Sequence, residues 1–109
     1  VKIYELTFIL NPNLDEEALK AEINKVESQI KGLSGTILEI QNLGKKGFAY
    51  ILKGHRQGTY ITIYYQAEPS AVRQIETSLK LNEQILRFLT LVLSPSEYKP
   101  RAQDESVTK

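Results

Sequence analysis

Glu39 and Glu68 bracket a stretch, residues 40–67, that contains no acid. Within it lie Lys45, Lys46, Lys53 and Arg56, together with His55 and four tyrosines, Tyr50, Tyr60, Tyr64 and Tyr65. Cations with no carboxylate near them in sequence suit contact with phosphate, which needs only charge and reach. Interleaved tyrosines suit either stacking on unpaired bases or packing against a protein. Lys2 and Arg87 join the phosphate-contact set if their strands are neighbours. Tyr60, Tyr64 and Tyr98 are the candidates for a protein partner, Tyr98 because it lies between two prolines in a polar tail.

Other chemistries find little support. His55 is the chain's one histidine and sits beside Arg56 between glycines, with no orienting carboxylate nearby in sequence for general-base work. With no cysteine and one histidine, a metal site would have to be built from carboxylates. The run Asp15, Glu16, Glu17 is explained by the start of a helix. Gly44-Lys45-Lys46-Gly47 is too short for a phosphate-cradling loop of nucleotide-binding enzymes and lacks its Lys-Ser/Thr ending. No enzyme, cofactor or small-molecule substrate is expected.

Alternating and helical patterns define the elements that position these residues. Residues 2–10 alternate, with Tyr4, Leu6, Phe8 and Leu10 expected inside and Ile3, Glu5, Thr7 and Ile9 outside. Asn11-Pro12-Asn13 is a stop. Leu19, Ile23, Val26 and Ile30 form one helical stripe over residues 14–31, with Asn13 as N-cap and Gly32 as terminator. A strand over 36–41 follows, with Ile37 and Glu39 on one face and Leu38 and Ile40 on the other. Gly44 and Gly47 bend it before it resumes at 48–53. Residues 54–58 read as a turn and 59–67 as the returning strand, with Ile61, Ile63 and Tyr65 toward the core. Pro69 opens a second helix carrying Val72, Ile75 and Leu79 and ending near Leu81. Residues 85–93 form a last strand, apolar on both faces.

The order is β-α-β-β-α-β. Two right-handed split βαβ units give a ferredoxin-like α+β sandwich, a four-stranded antiparallel sheet with both helices on one face. Residues 1–93 make one domain, and the polar, proline-containing residues 94–109 make a flexible tail. The opposite sheet face is open and shows Ile3, Glu5, Thr7, Ile9, Tyr60, Thr62 and Tyr64. Base stacking on that face is weakly supported, because residues 60–64 lack the lysine, arginine and glycine of RNA-recognition strands.

Size and charge agree with this plan. A chain of 109 residues with 25% charged and 41% hydrophobic residues supports one soluble domain. No cationic leader with an apolar core precedes Lys2, and no stretch approaches a membrane span, so neither a signal peptide nor a membrane partner is expected. Net charge is only +1. Its distribution is uneven: residues 15–31 hold five acids against three lysines, net −2, while residues 40–67 carry four cations and no acid, net +4. Such a field orients a polyanion even when the total is small.

Tyr4-Glu5, the run Leu10-Asn11-Pro12-Asn13-Leu14, Leu43-Gly44-Lys45-Lys46 followed by Phe48-Ala49-Tyr50, and then Gly58 and Tyr60 together resemble the bacterial small-subunit ribosomal protein six family. The resemblance runs in register from residue 2 to about residue 93. It implies a structural, non-catalytic role. It also implies pairing with small-subunit ribosomal protein eighteen, and binding of that pair to the central domain of small-subunit ribosomal RNA. The family's basic positions fall on Lys45 and Lys46. Gly47 stands where many members carry a further cation, and Ile51 stands where a proline often follows the tyrosine, which implies a straighter strand here. The resemblance places the chain in a cytoplasmic ribosome or an organellar one. The competing reading is a ferredoxin-like interaction or regulatory module that self-associates through its open face.

Overall fold

The computed structural model describes residues 2–94, 96 and 97. Six elements follow one another: β1 (Lys2–Leu10), α1 (Glu16–Gly32), β2 (Thr36–Leu52), β3 (His55–Ala67), α2 (Pro69–Leu81) and β4 (Ile85–Leu93). The sheet order is β2-β3-β1-β4, with every neighbouring pair antiparallel. This is the expected ferredoxin-like α+β sandwich.

The core follows the strand alternation. Tyr4, Leu6, Phe8 and Leu10 of β1 meet Ile61, Ile63 and Tyr65 of β3 beneath Val26 and Ile30 of α1 and Ala71, Ile75 and Leu79 of α2. Leu6, Phe8, Ile61 and Ile63 are completely buried, and each such side chain contributes about 1.5–3 kcal/mol relative to exposure. In β4 the register puts Phe88 and Thr90 beside Phe8 and Leu6, hence toward the helices, and sets Leu89 and Leu91 beside Thr7 and Glu5 on the open face.

The helix ends differ from the sequence-based expectation. Asp15, not Asn13, caps α1, its carboxylate accepting from the Ala18 backbone N–H at 2.8 Å. Asn13 instead donates its backbone N–H to Asn11 Oδ1 at 2.9 Å, closing the preceding turn. α1 ends at Gly32 as expected, but Gly32 is its last helical residue, and the left-handed residue is Ser34, φ 67°. The Ser34 N–H bonds the Lys31 carbonyl at 3.0 Å and the Gly35 N–H bonds the Ile30 carbonyl at 2.9 Å, the paired bonds of a Schellman end.

The β2–β3 hairpin is longer and tighter than expected. Leu52 pairs with His55, so the turn is Lys53-Gly54 and residues 55–58 belong to β3. Both turn residues have positive φ, 49° and 82°, the two-residue geometry whose twist matches the flanking strands. β2 is continuous but carries three register shifts. The first leaves Leu38 unpaired and brings Ile37 and Ile40 to the same, helix-facing side opposite Tyr65 and Ile63. That replaces the alternation expected for residues 36–41, because an extra residue flips the parity of everything after it. The second falls at Asn42–Gly44, where Gly44 adopts φ 84°, the bend its position suggested.

Candidate nucleic-acid interface

One row of residues crosses all four strands: Gly44 opposite Tyr60, Tyr60 opposite Ile9, and Ile9 opposite Arg87. Of the hairpin cations, Lys46 lies against this row. Lys46 pairs with Gly58 two residues below Tyr60, and its Nζ lies 5.5 Å from the centre of the Tyr60 ring. That separation is within cation–π reach. Lys45 is one residue further back, opposite Thr59. Lys45, Lys46, Lys53, Arg56 and Arg87 are all exposed.

The third register shift shapes the hairpin tip. Between the pairs Gly47–Gln57 and Leu52–His55, β2 has four residues, Phe48 to Ile51, and β3 has only Arg56. The excess loops out over the end of the open face. The straighter strand expected at Ile51 is therefore not found. Phe48 packs on Tyr60, ring centres 6.3 Å apart, and with Ile9, Tyr50 and Arg87 it lines one recess of about 260 Å³. Gly58 makes room for this. A Cβ there would collide with the Ile9 side chain and lie 3.0 Å from Phe48 and 3.2 Å from the Leu10 carbonyl oxygen. Tyr50 reaches across to β4, where the Arg87 guanidinium donates to its hydroxyl at 3.2 Å.

The structure thus joins Arg87 to the hairpin cations, but not Lys2. Lys2 pairs with Ala67 at the far end of β1 from Leu10, eight residues and so roughly 27 Å away along the strand. Being on the strand next to the hairpin was not enough, since β1 and β3 are antiparallel and Lys2 sits at the wrong end. Tyr98 lies outside the described residues. Leu43 is 38% exposed and outside the core.

The open face divides by charge. Around Tyr60 it is basic. Further along, Tyr64 lies between Glu5 on β1 and Glu39 on β2. Thr7 and Thr62 hydroxyls bond each other at 2.9 Å between the two halves. A groove of about 460 Å³ runs along the β1–β4 side, lined by Glu5, Thr7, Ile9, Tyr60, Leu89 and Leu91 among others. Leu89 is 60% and Leu91 46% exposed. Tyr60, half-buried under Phe48 and Lys46, is not a bare platform for a base.

His55 is half-buried within β3 rather than in a loop. Among the described residues there is no group of three or more His, Cys, Asp or Glu side chains placed to hold a metal ion, and no helix long and apolar enough to cross a membrane. Sequence reasoning missed one cation. Lys80, in the last turn of α2, borders a recess with Lys53 and Arg87. Its position at a helix C-terminus accounts for a lysine without any ligand, so nothing in the sequence singled it out.

Fold and surface together define a class: a ferredoxin-like sandwich that presents a basic hairpin and a mixed open face. The protein-family model for ribosomal protein S6 matches residues 3–91, and the chain belongs to that family. Small ribosomal subunit protein bS6 of Thermosynechococcus vestitus is 37% identical over 103 residues, covering 94% of this chain and 90% of the relative. The bS6 protein of Chlamydia abortus is 38% identical over 90 residues, covering 83% and 80%. The crystal structure of 30S ribosomal protein S6 from Thermotoga maritima superposes with a TM-score of 0.82 at 24% identity, covering 99% and 98%. The chain is accordingly a structural protein of the small ribosomal subunit, not an enzyme.

Proposed function

We propose that this chain binds the central domain of small-subunit ribosomal RNA together with small-subunit ribosomal protein eighteen, in a cytoplasmic ribosome. The observation that carries the RNA contact is the acid-free hairpin, whose exposed Lys45, Lys46, Lys53 and Arg56 are joined by Arg87 from β4. Phosphate contacts of this kind give affinity that falls with salt, because bound cations are released from the RNA.

The protein partner is assigned to the groove beside β4 and to Tyr60 and Tyr64. Exposed Leu89 and Leu91 there supply apolar contact area, and Glu5 and Glu39 around Tyr64 suit a basic partner. Like charge disfavours RNA at that acidic half, so Tyr64 goes to the protein partner and Tyr60, against Lys46, lies where the two surfaces meet.

Replacing Lys45 and Lys46 together by Glu is expected to weaken assembly onto small-subunit RNA, with the loss growing as salt is lowered. Unchanged incorporation at every salt concentration would remove these lysines from the interface. The protein should also co-sediment with small subunits in a lysate. A free symmetric dimer held through the open face would favour the self-associating module instead.

A further inference from the structure

We infer that the RNA-contacting surface turns the corner of the sheet and ends at a three-cation notch that binds one backbone phosphate, with Lys80 as its third member. The inference rests on the RNA-binding reading above and extends it to a residue outside the hairpin. Lys53 at the hairpin turn, Lys80 at the end of α2 and Arg87 in β4 border one recess of about 240 Å³. Leu79, Ile85 and Leu86, which are 2%, 3% and 5% exposed, form the apolar part of its lining. No carboxylate lines it. None of the three cations is in a salt bridge among the described residues, whereas Lys25 and Lys31 on α1 both pair with acids at 3.1 Å.

Three like charges that border one recess repel one another, and the buried apolar side chains beside them strengthen that repulsion. The same arrangement strengthens attraction for an anion that settles among them. The anion is a phosphodiester of RNA rather than a carboxylate, because the notch is continuous with the hairpin surface through Arg87. One guanidinium N–H of Arg87 is held by Tyr50 and the remaining donors are left over for a phosphate. The competing account of Lys80, that it only offsets the negative end of the α2 dipole, predicts a stability effect and no RNA effect.

Lys80→Gln separates them. The side chain is exposed, so the fold should tolerate the change. Binding of the full-length protein to small-subunit ribosomal RNA, with the other small-subunit proteins present, is titrated over a range of salt. Lys80→Gln is expected to weaken binding about three- to tenfold at low salt and to lower the slope of log affinity against log salt by about 0.7–0.9, the value for one lost phosphate contact. Lys80→Arg should restore both. The double variant Lys45→Gln/Lys46→Gln runs in parallel. If the double variant loses affinity and Lys80→Gln does not, the notch is overturned and the hairpin reading stands. If the wild-type chain shows no salt-dependent RNA binding, both fall. Binding of poly-glutamate to the notch in preference to RNA would also overturn it.

Discussion

Among the described residues two that are not glycine hold positive φ, Ser34 at 67° and Lys53 at 49°, and they call for different explanations. A left-handed backbone costs an ordinary residue roughly 1–2 kcal/mol. Ser34 closes α1 and touches nothing in the proposed interface. Ser34→Gly is therefore expected to raise stability by about 0.5–1 kcal/mol, seen as a higher denaturation midpoint at unchanged m-value, with RNA binding unaffected. Lys53 precedes Gly54 in a turn whose preferred pair is Asn-Gly. Lys53→Asn should stabilise by a similar amount but reduce both RNA affinity and its salt slope, which is what strain retained at a working position looks like. A variant that is more stable and binds RNA as before would show Lys53 to be only a poor turn residue. Nothing in the sequence distinguished these two positions, since the obvious terminator, Gly32, lies two residues before the residue that takes the conformation.

Elements were legible where local pattern decides them, and obscure where pairing does. Period-two alternation in β1 and β3 and the apolar stripe of α2 depend on near neighbours, so the core came out of the sequence nearly complete. Register does not. The unpaired Leu38, and the four residues of β2 that face one of β3, are settled by what packs across the sheet, including the space left by Gly58. Those shifts carry Phe48 over Tyr60 and Tyr50 to Arg87, so the site was readable as a set of cations but not as a surface. The helix layer shows the same limit. Glu22 looks like a solvated acid on α1, yet it is 8% exposed and accepts from Asn82 Nδ2 at 2.8 Å and Lys25 Nζ at 3.1 Å. Asn82 in turn accepts from the Gln84 backbone N–H at 2.9 Å, so the side chain ties α1 to the connector that launches β4. Asn82→Ala removes a partner from a buried carboxylate and should cost about 1–3 kcal/mol by chemical denaturation. Glu22→Gln keeps an accepting oxygen and should cost less; an equal or larger loss would mean that the charge, not the tie, matters.

At the scale of the whole molecule, the sheet separates two environments. The open side and its hairpin present charge and unmatched apolar edge. The other side buries Tyr4 and Tyr65 against each other under the helices, ring centres 5.5 Å apart. Burial pushes both phenols above their ordinary value of 10.0, Tyr65 the further. For Tyr65 the neighbouring Tyr4 and Glu76 charges add to burial, and for Tyr4 the charge of Glu68 does. The Tyr65 hydroxyl also finds no hydrogen-bond partner among the described residues. The sign follows from the direction of the shift. A folded-state value raised above the unfolded one means that the unfolded chain loses its proton first. The stability these groups hold is fully present below about pH 10 and drains as pH climbs from there toward the folded-state values. Alkaline unfolding should therefore set in above about pH 10. Tyr65→Phe should flatten that limb, leaving the smaller slope due to Tyr4, and should change stability at neutral pH by no more than about 1 kcal/mol, since the ring stays and only an unpartnered hydroxyl goes. Denaturant titrations of both proteins between pH 7 and pH 11 decide the matter. An unchanged alkaline slope in Tyr65→Phe would show that Tyr65 does not carry the loss.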